Sequence, residues 1–256
     1  MEKLLKIFDD KRYHRLAINN QKVYAKNKPY PHIYFDNFLP KRLALSLSKE
    51  YPKIDKMDKN WKVHKNKNVL RYLLEDSSLF KKNLKVFSML VNSRKFLLFL
   101  ETLTGVESII PDPYFVGGGA MTTSSGGFLN VHADFNYHHK LQSWRRLNVL
   151  FYLTPNWKKN WGGKLELWSK NKKKKIKEID PIFNRAVIFN TTSESFHGQP
   201  FPIVCPKNVY RNVFSAFYYS NTKDKKTLSE PHFTRYDIKN NPYAIKILKD
   251  YKNQNY

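Results

Sequence analysis

One cysteine in 256 residues, Cys205, rules out an internal disulfide and makes a reducing, intracellular setting the expectation. The Met1-Glu-Lys opening has no long apolar segment of the kind a secretory signal needs, which points to the cytoplasm. The longest apolar stretches, such as Phe96-Leu-Leu-Phe-Leu100, fall well short of a bilayer span, so no membrane partner is expected. Scarce cysteine also argues against a closed structural zinc site, which takes four protein ligands and usually several thiolates. The glycine-rich run Gly117 to Gly127 has no P-loop lysine, which excludes a phosphate cradle; a mobile flap is the expectation there. The sequence contains no internal repeat.

Acidic residues are also few, 21 against 46 basic ones, for a formal net charge of +25. Such an excess can serve nucleic acid or an acidic protein. Here it is mostly lysine, scattered with asparagine, tyrosine and phenylalanine along the whole chain, as biased coding composition produces. The densest run, Lys170 to Ile176, lies between two strand-like segments and reads as a solvated hairpin. A nucleic-acid partner therefore rests on net charge alone.

The length suits a single domain with its own core, expected to divide into a mostly helical part over 1–110, a β core over 111–222 and a tail over 223–256 with a short helix from Pro242 to Tyr251. The first 28 residues are charged and only weakly amphipathic. Pro29 to Asp36 reads as a strand, and Asn37 is the expected cap of a helix with Pro40 in its first turn. Lys53 to Asn68 reads as a mobile loop. From Leu79 to Leu103 apolar residues recur at helical spacing, with a break at Asn92-Ser93. Short β-type runs follow at Tyr114–Val116, Gly127–His132, Leu147–Leu153, Lys164–Trp168, Lys175–Ile179, Ala186–Phe189 and Asn212–Ser220. Many short strands behind a helical preface predict an α+β, mainly β fold, a sandwich or barrel such as a jelly-roll flanked by N-terminal helices.

Within that β region stand His132-Ala-Asp134 and, 65 positions later, His197 in Ser-Phe-His-Gly. Side chains two apart on a strand share a face, so His132 and Asp134 can reach one ion while Ala133 turns away. Two imidazoles and one carboxylate on one side of Fe(II) leave positions open on the other, the arrangement of non-haem iron oxygenases. A lone His-x-Asp is a weak signal, and its neighbours must carry the case.

They do so in order. His132-Ala-Asp-Phe-Asn-Tyr-His-His139, Arg145 to Trp157, Trp161-Gly-Gly-Lys-Leu-Glu-Leu-Trp168, Asn184 to Thr192, Ser195-Phe-His-Gly198 and Arg211 to Tyr219 together resemble the prolyl-hydroxylase-like branch of the Fe(II)/2-oxoglutarate-dependent oxygenases. Pro31 to Pro40 resembles the segment that leads into the core of this branch, so the likeness covers most of residues 29–222. It implies a double-stranded β-helix in which His132, Asp134 and His197 hold Fe(II) and act as the catalytic set. It also implies 2-oxoglutarate as cosubstrate with oxygen, ascorbate as a candidate reductant, and hydroxylation of a prolyl or other amino-acid side chain coupled to release of succinate.

By the same resemblance Arg211 anchors the far carboxylate of 2-oxoglutarate, which a guanidinium grips with two parallel hydrogen bonds, and Tyr152 adds a hydroxyl. Asn148, on the face of Tyr152 by period two, is a candidate for lining the cosubstrate pocket. Where many relatives have a serine two residues after the arginine, this chain has Val213. The loop Gln199 to Lys207 is a candidate wall of the substrate entrance. His138-His139 belong to a polar loop outside the metal set, and Trp157, Trp161 and Trp168 are expected to pack the sheet, with Trp161, beside Gly162-Gly163, also a candidate for lining a cleft. Asp134 excludes a halogenase, which needs its carboxylate position free for halide. Two alternatives stand beside the hydroxylase: an oxygenase acting on nucleic acid, and a catalytically silent binding module on the same fold.

Overall fold

The computed structural model describes residues 6–54 and 58–236. The helix expected over 242–251 lies outside them. Four α-helices are found among the described residues: α1 (Lys11–Lys26), α2 (Lys41–Glu50), α3 (Lys82–Leu90) and α4 (Arg94–Thr104). The strands are β1 (His32–Phe35), β2 (Lys62–Asn66), β3 (Val69–Leu74), β4 (Ile110–Pro111), β5 (Gly119–Thr123), β6 (Phe128–Ala133) and β7 (Tyr137–His138). They continue as β8 (Ser143–Tyr152), β9 (Leu165–Trp168), β10 (Lys175–Ile179), β11 (Ala186–Asn190), β12 (His197–Gln199), β13 (Arg211–Ser220) and β14 (Arg235–Tyr236).

The strands form one antiparallel sheet in the order β1-β11-β8-β13-β5-β3-β6-β12-β9-β10. Strand β3 pairs with β5 through Tyr72 to Leu74 and with β6 through Val69 and Leu70, so it carries the sheet around a corner. The two halves then face each other as a jelly-roll, with Leu150, Tyr152, Phe189 and Val213 of one packed against Leu165, Leu167 and Ile179 of the other. The opposite face of the first half receives the helices. Alternation makes this division: Leu147, Val149 and Phe151 of β8 join the helical core, while Leu150 and Tyr152 point inward. On β13, Phe214, Ala216 and Tyr218 pack outward in the same way and Val213 packs inward.

Several sequence expectations change. Residues 11–26 form a regular helix capped by Asp10, whose side chain accepts the Arg12 N–H at 2.8 Å. Asn37 does not cap α2; it takes a left-handed turn at φ 51°, and Pro40 stands at the cap position without a side-chain hydrogen bond. The lysine-rich stretch read as a loop contains β2, and with β3 it makes a hairpin. Because β1 and β3 join the sheet, the β core recruits residues ahead of 111. Tyr114–Val116 is not a strand, and the glycine run is not a flap, since β5 lies between β13 and β3. Gly119 shows why glycine is needed there: its φ is +72°, and a Cβ would lie 2.7 Å from the Leu74 carbonyl oxygen. Among the described residues, no helix is long and apolar enough to cross a membrane.

Candidate active site

His132 comes from β6, Asp134 from the residue just past its end, and His197 from β12, where it pairs in register with His132. Ala133 turns the other way and packs with Val131 and Phe196. Each histidine Nδ1 lies against a carbonyl two residues back, His132 at 2.8 Å from Asn130 O and His197 at 2.9 Å from Ser195 O. Donation to these carbonyls fixes the tautomer that leaves both Nε2 lone pairs free. The Nε2 atoms lie 3.3 and 3.4 Å from the two Asp134 oxygens, and one ligand atom from each residue falls within 4.8 Å of the others. Among the described residues this is the one such cluster of histidine, cysteine or acidic side chains. His138 stays apart from it, 3.7 Å from Asp112.

The electrostatics suit a cation. Burial alone would raise the Asp134 carboxyl, but the Arg145 guanidinium and the two adjoining imidazoles outweigh it and hold the group well below the usual carboxylate range. Burial, reinforced by His197, lowers His132 below the ordinary imidazole value, which favours the neutral form a metal needs. The donor set, two imidazoles and one carboxylate with no thiolate, suits Fe(II).

Asp134 is itself held. Its Oδ2 accepts a hydrogen bond from Asn148 Nδ2 at 2.8 Å and lies 3.2 Å from Arg145 Nη2. Arg145 donates from Nε and Nη2 to Asn148 Oδ1 at 3.0 and 2.7 Å, with Thr191 adding a third donor at 3.1 Å. Buried to 1% exposure, the guanidinium carbon lies 3.5 Å from the centroid of the Phe217 ring. Counting back from Tyr152 in twos selects Arg146 for the inner face, not Arg145. A bulge reverses the choice: Tyr218 of β13 pairs with Leu147 but Tyr219 pairs with Arg145, which leaves Arg146 as the extra residue.

Arg211 lines the same cavity, and its Nη2 donates to the hydroxyl of the fully buried Tyr152 at 3.3 Å. Arg211 Nε is buried without an acceptor, a cation still in need of an anion. Burial raises Tyr152 above the ordinary phenol value, against the pull of Arg211, so its hydroxyl keeps its proton as a donor. Gly163, at φ +78°, leaves room for the arginine stem: a Cβ there would lie 2.9 Å from Arg211 Cδ. Trp157 and Trp161 brace that glycine turn, edge to face at 5.3 Å with the Trp157 indole N–H on the Gly162 carbonyl, and do not pack the sheet as expected. Val213, Ser215 and Phe217 line the cavity from the Arg211 strand, as alternation predicts.

Asn148 also lines the cavity, but its hydrogen bonds go to Asp134 and Arg145. Arg71 of β3 and Tyr236 of β14 complete the wall near His132; both lie in stretches not read as strands from sequence.

The profile of the 2OG-Fe(II) oxygenase superfamily matches residues 119–221. No curated protein is similar to the chain at a significant level. A prolyl hydroxylase from Trichoplax adhaerens, in complex with a hypoxia inducible factor oxygen degradation domain peptide fragment, is similar in structure, with 19% identity, TM-score 0.57 and coverage of 83% of this chain and 93% of that one. A Pseudomonas putida prolyl-4-hydroxylase matches at 14% identity and TM-score 0.51, over 86% of this chain and 100% of that one. HygX from Streptomyces hygroscopicus, with nickel, 2-oxoglutarate and hygromycin B bound, matches at 10% identity and TM-score 0.53, over 86% of this chain and 96% of that one. At these identities the likeness is one of fold.

Proposed function

Proceeding from the 2OG-Fe(II) oxygenase domain that the chain carries over residues 119–221, we propose that His132, Asp134 and His197 hold Fe(II), that Arg211 and Tyr152 hold 2-oxoglutarate, and that the substrate is a prolyl or similar amino-acid side chain. When bound, the metal and cosubstrate supply the oxidising chemistry, coupling decarboxylation of 2-oxoglutarate to succinate with hydroxylation of a substrate carbon. The rest is done by the protein.

Arg211 offers a fixed cation with an unused N–H, and the protonated Tyr152 hydroxyl offers a second donor, which together suit a carboxylate. Arg145 and Asn148 are positioning residues: they fix the Asp134 carboxylate, so the ligand set is preformed and needs little reorganisation on metal binding. Phe135, Phe189 and Phe217 line the cavity and restrict water around the reacting carbon.

The observation that carries the reading is the coexistence, in one cavity, of the three-ligand cluster and an arginine whose buried Nε has no acceptor. The prolyl class rests on the motifs between His132 and Tyr219, because HygX, with its bound hygromycin B, shows that the fold by itself does not choose a substrate. Without oxygen, Fe(II) and 2-oxoglutarate added to the protein should give the visible charge-transfer absorption of an iron-bound keto acid. A folded protein that lacks this band at saturating cosubstrate would refute the assignment. His132→Ala should lose both the band and substrate-coupled succinate release.

A further inference from the structure

Three arginines line the cavity, and two are accounted for: Arg211 lies with Tyr152, and Arg145 is tied to Asp134 and Asn148. Arg71 is the third. It projects from β3, and its Nη1 reaches only the Met121 sulfur at 3.5 Å, a weak acceptor. Its Nε is closed off from solvent with no acceptor, and the guanidinium makes no ion pair among the described residues. Tyr236 stands nearby on β14, which continues along the edge of β6 where β3 leaves it: β3 pairs with Phe128 and Leu129, β14 with His132 and Ala133. The Tyr236 ring is 5.6 Å from that of His132, so this wall adjoins the ligand cluster.

Arg71 is partly exposed on the cavity wall, but its Nε is shut off from water, and a buried charged donor without an acceptor is costly unless an anion completes it. Burial lowers the Arg71 pKa, and the positive charges of Arg145 and Arg211 add to that, with only Tyr236 and Asp134 opposing. Asp134 is the sole carboxylate lining the cavity among the described residues. Once a divalent metal and the 2-oxoglutarate dianion have cancelled each other, three guanidiniums face one carboxylate, so the loaded pocket keeps a positive balance.

Building on the iron and cosubstrate reading above, we propose that Arg71 is a specificity residue that binds a carboxylate of the substrate, placed beside the carbon to be hydroxylated. The carboxylate can be the α-carboxylate of a free or C-terminal amino acid, or an acidic side chain next to the target residue. A guanidinium binds either in a forked geometry, whereas an uncharged or amidated analogue leaves it unpaired.

The test is anaerobic calorimetric titration of the full chain, loaded with Fe(II) and 2-oxoglutarate, with two matched pairs of probes. N-acetyl-L-proline against N-acetyl-L-prolinamide examines the α-carboxylate. N-acetyl-prolyl-glutamate amide against its glutamine counterpart examines the acidic side chain. In one pair the acid should bind roughly tenfold or more tightly than its neutral partner, the usual scale for a charge-assisted hydrogen bond. Arg71→Gln should erase that preference and Arg71→Lys should keep part of it, while the charge-transfer band and the 2-oxoglutarate affinity stay unchanged, showing a folded and loaded site. No acid preference in either pair, or one that survives in Arg71→Gln, overturns the proposal. A missing band in the wild type sinks the underlying cosubstrate reading, whereas a normal band without acid preference sinks only the Arg71 subsite.

Discussion

Removing the Arg145 guanidinium would leave two buried acceptors, Asp134 Oδ2 and Asn148 Oδ1, short of their donors. Arg145→Met should therefore weaken metal binding by roughly tenfold to a hundredfold, the usual effect of losing a group that orients a ligand. Anaerobic Fe(II) titration measures it, and unchanged affinity would show that Asn148 alone orients the carboxylate. Arg211 yields a paired expectation. Arg211→Ala should raise the 2-oxoglutarate requirement roughly tenfold to a hundredfold, and Gly163→Ala should raise it by less, because the added methyl crowds the Arg211 stem at a left-handed backbone position. Succinate release against 2-oxoglutarate concentration reads both. His132 and Asp134 were paired in the sequence by their spacing of two, and Tyr152 and Arg211 were picked out by the resemblance of their motifs; the structure clusters the first two with His197 and brings the second two into contact. Arg145 was hidden by the bulge that puts Arg146 out of phase, an event that no single-strand periodicity reveals. Arg71 was hidden because the hairpin that carries it begins with Lys62 to Asn66, polar on both faces, where the alternation that announces a strand is absent.

The helices illustrate the same contrast between a strong and a weak pattern. Helices α3 and α4 were legible because Leu84, Phe87, Leu90, Phe96, Leu100 and Leu103 recur at helical spacing and are buried. Helix α1 was not, because only Tyr13, Ala17 and Tyr24 of its 16 residues are buried, too sparse a stripe to stand out among charges. Its role is nonetheless specific: the Tyr13 hydroxyl donates to the Phe38 carbonyl in the turn after β1 at 2.9 Å and the Tyr24 hydroxyl to Asn190 of β11, so two phenols tie the helix to the turn and to the sheet. Phe96 of α4 is the hinge of this packing, in ring contact with Phe8, Phe38, Phe99, Phe151 and Tyr218. Phe96→Ala should cost about 3 to 5 kcal/mol of stability, the range for emptying a buried aromatic site. Denaturant unfolding would measure it, and a loss below about 1 kcal/mol would mean that the neighbouring rings collapse into the space.

Across the whole molecule, acid should act against the fold through its buried histidines. Burial lowers His32 below the ordinary imidazole value, against the pull of the Tyr30 carbonyl. The unfolded chain takes up that proton more readily than the folded one, so stability is fully present above the ordinary imidazole range and falls as pH drops through it. His132 acts in the same sense, and Asp134, depressed in the fold, extends the loss to more acidic pH. Urea midpoints at about pH 7.5 and about pH 5.5 should therefore differ, and His32→Gln should narrow the gap; an undiminished gap would assign the effect elsewhere. Lysine does not titrate between those pH values, so the +25 net charge, mostly lysine spread along the chain, adds little to the difference. The pairing of β14 with β6 makes the far end of the described chain part of the site. Walls of one cavity come from His64 through Tyr236, and the stretch beside His132 is completed by Tyr236. A chain cut ahead of residue 235 would keep the His132, Asp134 and His197 cluster but leave it beside an unpaired edge of β6, open to metal and solvent from the side that Tyr236 closes.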